Sequence, residues 1–149
     1  MSTALHLAGP ADLDRVLALV AAFHSEMTIT STEDTRRAGI EPLLNGIPYG
    51  AVYLIGPARA PIGFVVVTFG WSVEFGGMDA FVDELFIRPP VRGRGLASDV
   101  LVQLPKALAD AGVKALHLEV DRADITAQRL YQRARFTPRE RYMLMTKHL

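Results

Sequence analysis

The spacing of apolar residues in the first third of the chain predicts two helices. Between Leu13 and Met27 apolar side chains recur every three or four positions, which indicates a helix that begins at Gly9-Pro10. Ser31 and Asp34 have the spacing of a capping box and predict a second, shorter helix. We expect that helix to end near residues 45–46, where an Asn-Gly pair precedes a proline.

Shorter apolar runs predict four strands around these helices. One short strand is expected at residues 3–7, before the first helix. Three more are predicted after the second helix, and glycine- and proline-containing turns that suit antiparallel hairpins join them: residues 51–55, 62–71 and 80–88. The run Arg88-Pro89-Pro90 ends the last of these strands, because proline has no backbone N–H for the ladder.

The remaining pattern predicts alternating helices and strands to the end of the chain. Residues 94–111 have helical periodicity, with Pro105 expected to kink the helix or to break one hydrogen bond. A strand at 113–120, a helix at 124–134 and a last strand at 141–147 follow. The predicted order is β-α-α-β-β-β-α-β-α-β, an α/β fold with an antiparallel front and one parallel crossover.

Composition narrows the functional classes. The chain has 149 residues, equal numbers of basic and acidic residues (16 each) and 50% apolar residues, which predicts one globular domain spanning residues 1–149. The balanced charge argues against nucleic-acid binding, and the lack of cysteine excludes thiolate chemistry. The four histidines lack metal-ligand spacing, so no metal is expected. Without a basic leader or a long apolar run, we expect a cytoplasmic protein with no membrane partner.

A glycine- and arginine-rich turn between a strand and a helix is the first candidate site. Gly93 and Gly95 let the backbone approach a ligand, and the helix that follows offers unpaired N–H groups to an anion. Arg92 and Arg94 add positive charge where a pyrophosphate would bind. A tight structural turn with solvated arginines is the alternative. A dinucleotide site is a weaker one, because Ser98 stands where its third glycine belongs.

Two motifs resemble those of the GNAT superfamily of N-acetyltransferases. Arg92-x-x-Gly95-x-Ala97 is similar to the acetyl-CoA signature Arg/Gln-x-x-Gly-x-Gly/Ala of that superfamily. Asp124-x-x-Ala127-x-x-Leu130-Tyr131, followed by Phe136, resembles its second motif, which usually begins with Asn and ends in Gly-Phe. The two motifs occur in the expected order. Asp124 and Arg135 stand where the superfamily usually has Asn and Gly.

The resemblance implies the GNAT fold, a mixed and mostly antiparallel central sheet flanked by helices, with acetyl-CoA as co-substrate. It assigns main-chain roles to the strand after the acidic pair, where backbone N–H groups would hold the acyl carbonyl and the pantetheine. Dimers are common in the superfamily, so a homodimer is possible. The implied cofactor-binding residues are Leu85, Phe86, Ile87, Arg92, Gly93, Arg94, Gly95, Leu96, Ala97, Asp124 and Ala127.

Candidate catalytic groups follow from the resemblance and from the acid–base needs of acetyl transfer. A leaving thiolate (conjugate-acid pKa about 8.5) takes a proton from tyrosine (about 10), which suits Tyr131 as the acid. A substrate ammonium with a pKa of about 10.4 needs a base, and Asp83 and Glu84 lie on the expected strand. Because strand neighbours face opposite ways, only one of the two is expected to face the site, and we favour Glu84 slightly.

The acceptor substrate is less defined. Trp71, Glu74 and His117 are candidate substrate-binding residues, since aromatic faces and carboxylates recognise cations and a histidine could serve as an accessory base. Acids in this part of the chain favour a small cationic amine over a protein lysine or N-terminus. The expected activity is direct transfer of acetyl to a primary amine in a ternary complex. The alternative is a non-catalytic acyl-CoA-binding module that senses CoA or mediates protein contacts.

Overall fold

The computed structural model describes residues 3–149. The chain divides into two compact units, Met1–Glu119 and Val120–Leu149. The prediction of one domain over the whole chain stays a prediction.

The first unit contains a five-stranded sheet and three helices, and the second contains one helix. In chain order the elements are β1 (Leu5–Leu7), α1 (Leu13–Glu26), α2 (Glu33–Leu44), β2 (Gly50–Ile55), β3 (Gly63–Ser72), β4 (Gly77–Ile87), α3 (Leu96–Asp110), β5 (Ala115–Leu118) and α4 (Ile125–Arg133). Short 3-10 turns at Pro10–Asp12 and Pro89–Val91 precede α1 and follow β4.

The sheet has the strand order β1-β2-β3-β4-β5. Its first four strands are antiparallel neighbours, and β5 is parallel to β4 after the crossover through α3. Both predicted hairpins are present, β2–β3 and β3–β4, and the second turns at Gly76, which has the positive φ of +74° that glycine adopts easily. The expectation of a mixed, mostly antiparallel sheet flanked by helices is confirmed.

Two apolar layers cover opposite faces of this sheet. On one face, Phe64, Val66 and Phe86 pack against buried residues of α1 and α2. On the other face, Val65 and Val82 pack against Leu104 and Leu108 of α3. The strand residues that the two layers bury are apolar. The position of the carboxylates of β4 therefore depends on a local feature of that strand.

That feature is a bulge in β4. Adjacent residues of β3 lie opposite Glu84 and Val82, so Asp83 has no cross-strand partner. One extra residue reverses the alternation of side chains beyond it. Val82 accordingly packs on the α3 face, whereas Phe86, four residues later, packs on the α1 face. Alternation along β4 is therefore interrupted once between Val82 and Glu84, and the expectation that Asp83 and Glu84 face opposite ways stays a prediction.

One expectation about the helices is corrected. The N-cap of α2 is Thr32, whose hydroxyl accepts a hydrogen bond from the Thr35 N–H at 3.1 Å, and the predicted capping residue Ser31 has other partners. Helix α3 continues from Leu96 to Asp110 through Pro105, so the proline does not end it. Gly112 follows α3 in the left-handed conformation, as its position after the helix predicts.

The end of the chain differs most from the expected order. Residues 137–149 contain no strand, so the last predicted strand at 141–147 is wrong and the observed order ends at α4. Its apolar pattern is present, but Met143 and Met145 are 78% and 81% exposed, and a strand needs a paired neighbour for its N–H and C=O groups. The strand predicted at 113–120 is shorter, Ala115–Leu118. Within the described residues no helix is long and apolar enough to cross a membrane.

Candidate active site

Glu84 lies just past the bulge, on the face of the sheet that α1 covers. Its Oε2 atom is 2.5 Å from Nε2 of His24, and the two side chains are only 17% and 14% exposed. Burial raises the pKa of Glu84 above its ordinary value, since the charged form loses water. The hydrogen bond and the charge of His24 partly offset this rise in pKa, and the charge of Asp83 adds to it.

His24 belongs to this site, although nothing in the motifs pointed to it. Its Nδ1 atom is 2.7 Å from Oγ of Ser31, and an Arg36 Nη1–H donates to the same Oγ at 3.0 Å. One signal in the sequence could have revealed it. His24 continues the helical spacing of Leu17 and Val20, so it is a polar residue on the apolar face of α1.

Beyond the bulge, the edge of β4 that faces away from β3 is open. The Arg88 N–H donates to Ile62 O at 2.8 Å, and this bond makes Ile87 and, two residues earlier, Leu85 non-hydrogen-bonded positions of the β3–β4 ladder. Their N–H groups therefore point away from β3. On that side β5 pairs with β4 only as far as Val82. The N–H groups of Leu85 and Ile87, to which the resemblance assigns roles, therefore lie on a stretch of the β4 edge that β5 does not pair with.

The turn before α3 has the backbone that the glycines predict. Gly93 and Gly95 have positive φ angles of +79° and +76°, and Gly95 is the N-cap of α3. No side chain caps this helix end. The first N–H groups of a helix lack intrahelical acceptors and carry the positive end of its dipole, so the turn fits a phosphate group chemically.

Arg92 has a different environment from the one expected for a phosphate-binding arginine. Its guanidinium donates to Glu26 at 2.7 Å, its Nε–H donates to Ile87 O at 2.8 Å, and its Cζ lies 5.6 Å from the centre of the Phe86 ring. The side chain therefore links the turn to α1 and β4. Of the neighbouring cofactor candidates, Leu96 and Ala97 pack beside the buried cluster of Val100, which leaves their backbones for the predicted role.

A second histidine–carboxylate pair lies farther back along β4. Nε2 of His117 is 3.1 Å from Oδ2 of Asp79, and both side chains are mostly buried. The imidazole also contacts the Phe81 ring, with 4.9 Å between ring centres, and the Phe75 ring at 5.6 Å. His117 therefore has a carboxylate partner and two neighbouring aromatic rings.

The other two substrate candidates lie at the end of the β3–β4 hairpin. Trp71 pairs across the strands with Met78 and is 77% exposed, and Glu74 belongs to the turn that joins the strands. The structure therefore groups Glu84 with His24, and His117 with Asp79, while Trp71 lies near the hairpin end.

In the second unit, Asp124 and Tyr131 lie at opposite ends of α4. The Asp124 carboxylate accepts a hydrogen bond from the Ala127 N–H at 2.9 Å and so caps the helix. Burial and the charge of Asp124 both raise the pKa of Tyr131 above its ordinary value. Tyr131 therefore keeps its proton at neutral pH, and its ring packs edge-on to Phe136 with 6.0 Å between ring centres.

Arg135, the residue before Phe136, stands where the superfamily usually has glycine. Arg135 has a φ of +71°, a left-handed conformation that costs a non-glycine residue on the order of 1 kcal/mol. Arg135 donates its N–H to Gln132 O and Phe136 donates to Tyr131 O. The turn therefore takes a conformation typical of glycine despite the substitution.

Sequence comparison shows the family of the chain. The sequence profile of the acetyltransferase (GNAT) family matches residues 19–136, and the chain belongs to that family. Membership supports acetyl transfer as the general chemistry of the chain. No curated protein sequence matches it.

Solved structures share the fold over nearly the whole chain. An integron cassette protein from the mobile metagenome of Cole Harbour Salt Marsh is 30% identical with a TM-score of 0.84, and the match covers 97% of this chain and 90% of that one. A putative acetyltransferase from Arthrobacter sp. FB24 is 28% identical (TM-score 0.78, coverage 98% and 94%). An aminoglycoside N-acetyltransferase, AAC(6')-Iy in complex with CoA, is 16% identical and shares the fold (TM-score 0.81, coverage 99% and 95%).

Proposed function

We propose that the chain transfers an acetyl group from acetyl-CoA to a primary amine by direct attack in a ternary complex. The observation that carries this proposal is the position of Glu84, a mostly buried carboxylate next to the unpaired edge of β4. A base is thereby adjacent to backbone N–H groups that can bind an acyl carbonyl.

Acetyl-CoA is the donor in this proposal, and the residues present fit it. The uncapped start of α3 and the amides from Gly93 to Ala97 would bind the pyrophosphate. The N–H groups of Leu85 and Ile87 would bind the acyl carbonyl and the pantetheine arm. Ile87 O accepts a hydrogen bond from the Nε–H of Arg92, so this arginine of the turn holds this part of the β4 edge in place.

Glu84 accepts a proton from the substrate ammonium, and the neutral amine then attacks the thioester carbonyl carbon. The Leu85 N–H stabilises the negative charge that develops on the carbonyl oxygen. The C–S bond breaks, Tyr131 donates its proton to the departing thiolate, and the second proton lost by the amine nitrogen restores the neutral Tyr131. The products are an amide and free CoA thiol, with one net proton released to solvent. Asp83, beside Glu84, is the second candidate for the base.

A small cationic amine is the proposed acceptor. Asp79, Asp83 and Glu84 place three carboxylates along β4, and the rings of Phe75 and Phe81 lie beside the His117–Asp79 pair. Carboxylates and aromatic faces together favour cations. Aminoglycosides, the substrates named for some proteins of the same fold, belong to this chemical class. A protein amine is the alternative acceptor.

Thermal melting with acetyl-CoA, CoA or NAD, followed by thiol release, tests the proposal. At a hundredfold excess over the dissociation constant, a bound ligand stabilises the fold by about 2.7 kcal/mol. We expect a shift with both CoA species, none with NAD, and thiol release with at least one amine among spermidine, an aminoglycoside and a lysine peptide. The absence of a CoA shift would overturn the donor assignment. A CoA shift without thiol release from any amine would favour the non-catalytic binding module.

A further inference from the structure

A continuous chain of polar contacts runs from the candidate base to the second helix. Glu84 on β4 contacts His24 on α1 at 2.5 Å, His24 contacts Ser31 at 2.7 Å, and Arg36 on α2 donates to Ser31 Oγ at 3.0 Å and to Ser31 O at 2.8 Å. Residues of α1, of the segment after α1 and of α2 are thus connected to one carboxylate. An exposed acid is solvated by water and needs no such set of contacts.

The backbone between α1 and α2 is shaped to make these contacts. Thr28, two residues after the end of α1, has a φ of +53°, a conformation that a β-branched residue rarely adopts. The Ile29 N–H donates to His24 O, which folds the chain back over the last turn of the helix. This turn brings Ser31 to the imidazole, seven residues from His24 in sequence.

The donor and acceptor roles follow from the arginine, which can only donate. Because Arg36 supplies a hydrogen to Ser31 Oγ, the Ser31 hydroxyl hydrogen can go to Nδ1 of His24. His24 then carries its own hydrogen on Nε2 and donates it to Glu84. The carboxylate receives this bond at Oε2, so Oε1 remains as the oxygen that can take a proton from substrate.

We propose that His24 is a positioning residue for Glu84: held by Ser31 and Arg36, its imidazole fixes one carboxylate oxygen and keeps the buried carboxylate ionised. The inference rests on the proposed role of Glu84 as base. The need for such a residue is physical, because a buried carboxylate without a partner takes up a proton and can no longer act as a base at neutral pH.

The charged groups around the imidazole are consistent with this role. Glu84 contacts it directly, Asp83 adds negative charge from β4, and Arg36 acts from α2 through Ser31. On α1 itself, Glu26 is paired with Arg92 at 2.7 Å and contributes little net charge. His24 is therefore the cationic or hydrogen-donating group nearest to the base.

A Ser–His–Glu nucleophilic triad is the rival interpretation of the same contacts. In such a triad the serine hydroxyl loses its proton to the imidazole and attacks the acyl carbon. Here Ser31 Oγ accepts one hydrogen bond from Arg36 and keeps a second lone pair, so the two interpretations share these contacts and differ in the product left on the protein. The positioning role requires no acyl-enzyme, whereas the triad requires acetylation of Ser31.

The pH dependence of turnover tests the proposal, with the amine that gives the fastest thiol release. His24→Gln keeps a hydrogen-bond donor but loses the possible charge, and His24→Ala loses both. Since both contributions lower the pKa of Glu84, the acid limb of kcat/KM for the amine should move to higher pH in His24→Gln and further in His24→Ala. At pH 7 the loss in His24→Ala should be about 100-fold, with KM for acetyl-CoA unchanged. His6→Gln, on the exposed β1, is the matched control and should leave the profile in place.

A second measurement needs no acceptor amine and so separates this inference from the proposed function. Carboxyl carbon-13 NMR, with the Glu84 resonance assigned through Glu84→Gln, reports the Glu84 pKa directly. We expect it to rise from the unaltered protein to His24→Gln to His24→Ala. An unchanged Glu84 pKa in folded His24→Ala would overturn the inference even if acetyl transfer is found. Acetylated Ser31 in mass spectra after incubation with acetyl-CoA would overturn it in favour of the triad.

Discussion

The bulge of β4 and the turn before α3 satisfy their polar groups in opposite ways. At the bulge, Glu84 is bound by His24, which is bound by Ser31, so the protein supplies the partners. At the turn, Gly95 begins a helix whose first amides are capped by no side chain among the described residues. The bulge lies within β4 and the turn follows that strand, where Arg92 donates its Nε–H to Ile87 O at the strand end.

The difference separates the part of the proposed site whose polar groups the protein satisfies by itself from the part whose polar groups a ligand would satisfy. A base has to be placed and ionised before substrate arrives, which requires a fixed surrounding. A phosphate site can leave its donors to solvent, because water satisfies exposed N–H groups until an anion replaces it. We therefore expect substitutions at the bulge to change turnover, and substitutions at the turn to change binding of the donor.

Glu84→Gln should give the largest effect and would test the catalytic half of this contrast. Glutamine keeps the size of the side chain but cannot accept the ammonium proton, so kcat should fall by about 100-fold or more. The thermal shift with CoA should be unchanged, since the turn is untouched. Asp83→Asn is the control for the neighbouring charge, and a larger loss of kcat there than in Glu84→Gln would reassign the base to Asp83.

Gly95→Ala should give a smaller effect, on binding. The new Cβ meets no atom within 4 Å, but the φ of +76° disfavours alanine, so the free energy of unfolding should fall by about 1–2 kcal/mol. The dissociation constant for CoA should rise, as measured by calorimetry, while kcat at saturating acetyl-CoA changes less.

Gly39→Ala is the matched control for Gly95→Ala. Gly39 lies inside α2, where an added methyl group also meets open space, and its φ is not positive. Alanine there should raise the free energy of unfolding by about 0.5–1 kcal/mol and leave CoA binding alone. If the two alanines affected CoA binding equally, the turn would have no special part in it.

Thr28→Gly should give the smallest effect and tests how much strain the connection between α1 and α2 contains. Glycine relieves the left-handed conformation of Thr28, so the free energy of unfolding should rise by up to about 1 kcal/mol in urea denaturation. Thr30→Gly, two residues on and without a positive φ, should be neutral or destabilising. A loss of stability in Thr28→Gly matching that in Thr30→Gly would mean that Thr28 is unstrained.

Much of this fold could be predicted from periodicity. The long amphipathic patterns gave α1 and α3 within a few residues, and the glycine and proline turns gave both hairpins. These features are local, because a helix face or a hairpin turn is specified by residues close together in the chain. The glycine-rich turn before α3 belongs to the same group.

The features that position Glu84 could not be predicted in this way. A bulge can be recognised only when the register of two strands is known. No residue type near Asp83 predicts it. The contact of His24 with Glu84 joins residues 60 positions apart. The strand expected near the end of the chain failed for a related reason, since alternation at Tyr142 to Met145 specifies a face but provides no neighbour to pair with.

The bulge has a consequence at the level of the gene. Loss of the single codon for Asp83 would make Val82 and Glu84 neighbours and remove the bulge while leaving both opposite their present partners, so Glu84 would stay on the α1 face with His24. Insertions between Gly56 and Ile62, in the exposed hairpin turn, would leave the register of β3 and β4 intact. A change in length by one residue is therefore compatible with the register of this sheet at the bulge and in its turns, whereas the same loss elsewhere in β4 would reverse the faces of the residues beyond it.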